Sequence, residues 1–167
     1  MPSKYLSDDE VKQLQIAYYH EISNSIIYSN LAIYLNSKGL VNLSKYYQDW
    51  SNEEKKHSEW VREFMMNLDI PIIGGISSSD NYNLDSSLQE FANVTLQRED
   101  LTTKIYKDMM ISCLDMNQLG DGVFMTFISK MLSEQLEETD KILTLLAKVN
   151  NITSFSDFQN FDNSFEG

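Results

Sequence analysis

Proline stands only at positions 2 and 71 of this chain, so no residue of 3–70 or 72–167 lacks the backbone N–H that a helix needs. Apolar residues recur at three- and four-residue spacing from Ser7 to about Ser37, through Val11, Leu14, Tyr18, Ile22, Leu31 and Tyr34, and Ser7 and Asp8 precede them as candidate caps. Gly39 interrupts that pattern. It resumes from about Leu43 through Trp50, His57, Trp60, Val61 and Phe64 to Leu68. A third run spans about Ser86 to Leu114 and a fourth about Val123 to Val149, with Gly120-Asp121-Gly122 as the turn between them. Pro71 to Leu84, rich in Gly, Ser, Asp and Asn, reads as an irregular connection, too long for simple neighbours in a bundle. The expectation is an all-α four-helix bundle over residues 1–149, with a long crossover between its second and third helices. Residues 150–167 carry Phe155, Phe158, Phe161 and Phe165 at helical spacing but are short, acidic and poor in strong helix formers. They are read as a tail or, at most, a short helix.

Composition narrows the partners. A length of 167 residues with 42% hydrophobic content suits one domain with a real core. No apolar run is long enough for a bilayer, so no membrane role is expected. The formal charge of −12 argues against a nucleic-acid partner, whose affinity rests on Lys and Arg, and favours cations. The amino terminus lacks a secretory pattern, and one cysteine cannot form an intrachain disulfide; both fit a cytoplasmic protein. Gly-rich phosphate loops, CxxC pairs and a Gly-x-Ser-x-Gly elbow are absent from the sequence.

Carboxylates gather instead at the middles of the expected helices. Glu54 and His57 are three residues apart on the second helix and project from nearly one face; Glu53 precedes them. Glu99 stands midway along the third helix, and Glu134, Gln135, Glu137 and Glu138 midway along the fourth. A solvated helix face accounts for any one of these segments alone. Three of them at the same height of one bundle point to a shared metal, since a divalent or trivalent ion compensates buried carboxylates together. Hard oxygens with one imidazole suit iron, and zinc or manganese would also bind.

Over roughly residues 8–149 the chain resembles the ferritin family, most closely the bacterial non-haem ferritins. Ser51-Asn52-Glu53-Glu54-Lys55-Lys56-His57 is similar to the family's Glu-Glu-x-x-His, Ser133-Glu134-Gln135-Leu136-Glu137-Glu138 to its Glu-Gln-x-x-Glu, and Glu99 falls where the family has a third-helix carboxylate. The resemblance implies that Glu54 bridges two irons, that His57 binds the first, and that Glu99 and Glu138 complete the second with Gln135 beside it. It further implies that Glu53, Glu134, Glu137 and Glu138 form a third iron position. A ferroxidase using oxygen or peroxide, storing Fe(III) mineral in a homo-oligomeric 24-mer cage without haem, is the implied function. A ferritin-like scaffold that has lost iron oxidation is the alternative.

Three departures qualify the resemblance. The family places a first-helix Glu two residues before one Tyr and seven before another. Counting back two from Tyr28 gives Ile26 and seven from Tyr34 gives Ile27; Glu21, five or six residues away, is not promoted to ligand. The first iron position is therefore expected to be degenerate and oxidation slow; Tyr34 matches the tyrosine beside the family's site, although an aromatic on an apolar helix face is more often core. Met125 and Ile128 fall where animal-type members carry channel acids. The tail replaces or shortens the family's fifth helix. Bacterioferritin is disfavoured by Lys55 at the haem-Met position, rubrerythrin by the single cysteine, and mini-ferritins by the acidic charge. His20 reads as a packed or surface residue.

Overall fold

The structure, a computed structural model, describes residues 3–75, 83–84 and 87–165. Among these, five helices are the regular elements: α1 (Asp8–Ser37), α2 (Val41–Asn67), α3 (Glu90–Cys113), α4 (Asp121–Val149) and α5 (Phe155–Ser164). None is long and apolar enough to cross a membrane.

Ser7 starts α1 through a capping box: its side chain accepts from the Glu10 backbone N–H while the Glu10 side chain accepts from the Ser7 N–H. Gly39, at φ 78°, makes the tight turn into α2. The middle of the Pro71–Leu84 crossover, residues 76–82, lies outside the described residues, as does Ser86, the expected start of the third helix. The described helix begins at Glu90.

Cross-helix contacts fix the directions. Glu21 meets Tyr106 and Tyr28 meets Glu99, so α1 and α3 run antiparallel. Lys141 meets Glu53 and Phe127 stacks on Phe64, so α2 and α4 do as well. Tyr47 meets both Phe91 and Thr95, and Glu54 lies beside Glu99, so α2 and α3 are parallel. A parallel pair of successive helices obliges the chain to travel the length of the bundle between them, which is what the long crossover supplies.

Each helix buries a seam of residues three and four apart. On α1 it is Leu14, Ala17, Glu21, Asn24, Tyr28, Leu31 and Leu35; on α4 it is Phe124, Ile128, Met131, Gln135, Glu138, Ile142, Leu145 and Val149. The ends of these seams are apolar and form two separate core clusters. One is centred on Tyr28, Trp50, Phe91 and Leu145, the other on Leu14, Met65, Met109 and Phe124. Between them lies a polar layer to which every helix of the bundle contributes. Ile128 is fully buried in the second cluster and Met125 packs against it.

The tail contains a real helix. α5 is capped by Ser154, which accepts from the Asp157 N–H at 3.1 Å, and it buries Phe158 in the first core cluster. Asp162 then accepts from the backbone N–H groups of Leu43 at 2.7 Å and Asn42 at 3.3 Å. Those are orphan donors at the start of α2, whose own N-cap residue, Leu40, offers no side-chain acceptor. Tertiary burial and this borrowed cap outweigh the weak helix propensity that argued against a helix here.

Candidate metal centre

The polar layer is made where the seams run out of apolar residues. Glu21 and Asn24 come from α1, Glu54 and His57 from α2, Glu99 and Thr102 from α3, and Gln135 and Glu138 from α4; all are buried. Residues three apart on a helix share a face, so each helix delivers a pair into one plane of the bundle.

Ligand atoms of Glu21, Glu54 and His57 lie within 4.8 Å of one another, and so do those of Glu54, Glu99 and Glu138. The two triplets share Glu54, the arrangement of a bridging carboxylate between two ions. One oxygen each of Glu21, Glu54 and Glu138 is buried without a hydrogen-bond partner. Two of these oxygens have a nitrogen nearby, Glu54 Oε1 at 3.5 Å from His57 and Glu138 Oε2 at 3.6 Å from Lys141, but buried carboxylate oxygens without hydrogen bonds are costly, and metal ions between them would lower the cost. The chemistry of the donor set therefore fits hard metal ions.

The remaining lone pairs are held in place. Tyr28 donates to Glu99 at 2.5 Å and Gln135 donates to its other oxygen at 2.6 Å. Tyr106 donates to Glu21 at 2.6 Å, and the Asn24 amide donates to Glu54 at 3.1 Å. Asn24 is in turn fixed by Arg98, which donates to its carbonyl at 2.7 Å, and by Thr102. His20 is buried in this same network, bonded to Thr102 and Arg98 and outside both ligand triplets, in keeping with a packed residue. His57 Nδ1 lies 3.5 Å from Glu54 and its ring packs 5.2 Å from Trp60.

Crowded carboxylates hold protons. Burial, then the Glu54 charge, pushes Glu99 up to about 8 against the opposing bonds from Tyr28 and Gln135. Burial pushes Glu138 up to about 9 despite Lys141. Glu21 is raised well above its ordinary range by burial and by Glu54. Burial works on Glu54 too, but His57, Glu21 and Asn24 outweigh it and hold that carboxyl below its usual value. Glu54 is thus the resident anion of the cluster.

These positions correct the sequence reading on α1. Ile26 is exposed and Ile27 packs in the apolar core, while Glu21 occupies the place that neither isoleucine can fill. The expectation of a degenerate first position rested on a missing first-helix carboxylate, and that carboxylate is present. The matching tyrosine is Tyr28, seven residues after Glu21; Tyr34 instead donates to the Leu84 carbonyl, away from the centre. Counting back seven from Tyr28 was the available signal. Of the residues expected at the site, Glu54, His57, Glu99, Gln135 and Glu138 converge on the buried layer. Glu53, Glu134 and Glu137 lie just outside it, lining with His57, Glu138 and Lys141 a pocket of about 260 Å³.

A ferritin-like domain model matches residues 11–152. The chain belongs to the ferritin family. Among solved structures, the open pore ferritin of the archaeon Archaeoglobus fulgidus is similar at TM-score 0.85 and 19% identity, over 95% of this chain and 96% of that one. A humanized archaeal ferritin is similar at TM-score 0.84 and 21% identity, over 95% and 94% of the two chains. Chlorobium tepidum ferritin is similar at 0.80 and 18%, over 95% and 96%. At these identities the likeness is one of fold. No curated protein matches the chain.

Proposed function

We propose that this protein stores and detoxifies iron: it binds two Fe(II) ions per chain in the polar layer, oxidises them, and retains Fe(III) within a homo-oligomeric cage. The observation that carries this reading is the pair of ligand triplets sharing buried Glu54. Glu21, Glu54 and His57 hold the first ion; Glu54, Glu99 and Glu138 hold the second, with Gln135 orienting Glu99. Each ferrous ion gives up one electron, and one dioxygen takes both to leave as peroxide, so the reaction needs two ions held close together at once. Glu21 supplies the anionic wall that makes the first position competitive with the second, and this supports paired oxidation at an ordinary rate rather than an impaired one. The cage, the identity of the oxidant and the cytoplasmic setting belong to the same reading.

Anaerobic Fe(II) titration of the apoprotein, followed by stopped-flow mixing with oxygen and by size-exclusion sizing, tests it. The expected result is two ions per chain oxidised in one fast phase, with Glu21→Ala slowing that phase by about tenfold or more. A monomer that binds no iron would instead identify a ferritin-like bundle without iron chemistry.

A further inference from the structure

Lys141 points its ammonium into the pocket where Glu53, Glu134, Glu137 and Glu138 gather. Its Nζ lies 2.9 Å from Glu53 Oε2 and 3.6 Å from Glu138 Oε2. Two aromatic faces hold the same ammonium: Trp50 at 4.4 Å and Tyr46 at 5.2 Å from their ring centroids. The side chain is only 22% exposed. Lys141 stands one turn beyond Glu138 on α4 and reaches across to Glu53 on α2, so it bridges the two helices at the boundary between the buried layer and the outer pocket.

We propose that Lys141 is a built-in cation that occupies the third position suggested by this acidic group, and so limits the centre to two iron ions. The inference rests on the two-ion reading of the buried layer. The four carboxylates around this pocket would otherwise repel one another, and together they would attract a divalent ion. A tethered ammonium already between two of them neutralises part of that charge and takes the space. A metal ion entering the same carboxylates would have to sit against a positive charge that burial and two rings keep from swinging away. Neighbouring cations reinforce the effect. Lys56 lines the same pocket, and Lys56 and Lys130 lie 5.2 Å and 3.8 Å from the Trp60 ring beside His57. Glu138 is thereby left to the inner ion, because its contact with Lys141, made through Oε2 at 3.6 Å, is longer than a hydrogen bond.

Equilibrium dialysis against Fe(II) under anaerobic conditions tests the proposal by counting ions per chain in wild type and in Lys141→Met and Lys141→Gln, which keep most of the side-chain stem but not the charge. The expected counts are two for wild type and three for either neutral variant. Lys141→Arg is expected to stay at two, and adding Glu53→Gln to Lys141→Met to return the count from three to two. Circular dichroism checks that each variant is folded, and two neutral variants guard against one of them failing to fold. A wild-type count of three, or a count of two in folded neutral variants, overturns the inference and leaves the two-ion centre standing. No binding by wild type overturns both.

Discussion

Glu99 is held from two sides, by the Tyr28 hydroxyl at 2.5 Å and the Gln135 amide at 2.6 Å, and both donors favour its charged form. Removing one leaves a more basic carboxyl that binds metal less readily. Tyr28→Phe is therefore expected to weaken Fe(II) binding at the second position by about tenfold near pH 7, since one hydrogen bond to a charged group is worth roughly 1.5–3 kcal/mol. Isothermal titration in the absence of oxygen reads this directly; unchanged affinity would mean that the tyrosine is only packed there. Protons and metal compete for the same oxygens, so ion binding should also release protons below about pH 8 and release fewer above pH 9, as Glu99 and Glu138 empty. Titrations in buffers of different ionisation enthalpy measure that number.

At the scale of the helix, α5 earns its place by what it does for α2. Asp162 satisfies two backbone donors at the α2 N-terminus and sets a negative charge against the positive end of its dipole. Asp162→Ala is expected to cost about 1–2 kcal/mol, a cap-sized loss. Chemical denaturation reads it as a lower midpoint with unchanged slope; an unaltered midpoint would show that α5 contributes nothing to α2. Gly120 has a comparable constraint at the other end of the bundle. Its N–H donates to the Tyr5 carbonyl at 2.8 Å, and a Cβ built on it would fall 2.8 Å from that same oxygen. How much of this the sequence revealed depended on the kind of signal. Four long helices and the crossover followed from two prolines and from apolar spacing, which are local properties. Glu54 with His57, and Gln135 with Glu138, were legible as members of the buried layer because their motifs are compact, and Glu99 because it is a lone carboxylate midway along its helix. The α1 carboxylate of the layer, Glu21, was not, because the inner face of that helix also carries Glu10, His20 and Asn24 among its apolar residues, which blurs the stripe. Reading the stripe through Tyr18, Ile22 and Tyr34 displaced the register, whereas the buried seam runs through Ala17, Glu21 and Tyr28. α5 was hidden for a different reason: its stability comes from Phe158 and Asp162 contacting distant parts of the chain, which no local propensity records.

For the molecule as a whole, the polar layer sets stability against function. Glu99 and Glu138, ordinarily near 4.5, are raised to about 8 and about 9 in the folded metal-free protein, and Glu21 and Glu10 are raised as well. A raised carboxyl favours folding fully below its unfolded value, and that contribution is lost as pH climbs through the folded value. Glu54 has the opposite sign, being lowered, so its contribution is present above its ordinary value and is lost only in acid. From pH 6 to pH 9.5 the raised groups dominate, and the metal-free protein should become less stable throughout that window. At about 1.4 kcal/mol for each pH unit of displaced titration, with Glu99 displaced from pH 6 to about 8 and Glu138 from pH 6 to about 9, and about 2–4 °C per kcal/mol for a chain of this size, the melting temperature should fall by roughly 14–28 °C. Bound Fe(II) reverses the trend, because the ion takes the charge that the carboxylates present to one another, and binding strengthens as their protons leave. Thermal melts across pH 6–9.5, with and without anaerobic Fe(II), should therefore diverge with rising pH, and Glu99→Gln should flatten the metal-free slope. A metal-free melting temperature that held constant or rose over this range would contradict the carboxylate crowding that the ion site requires.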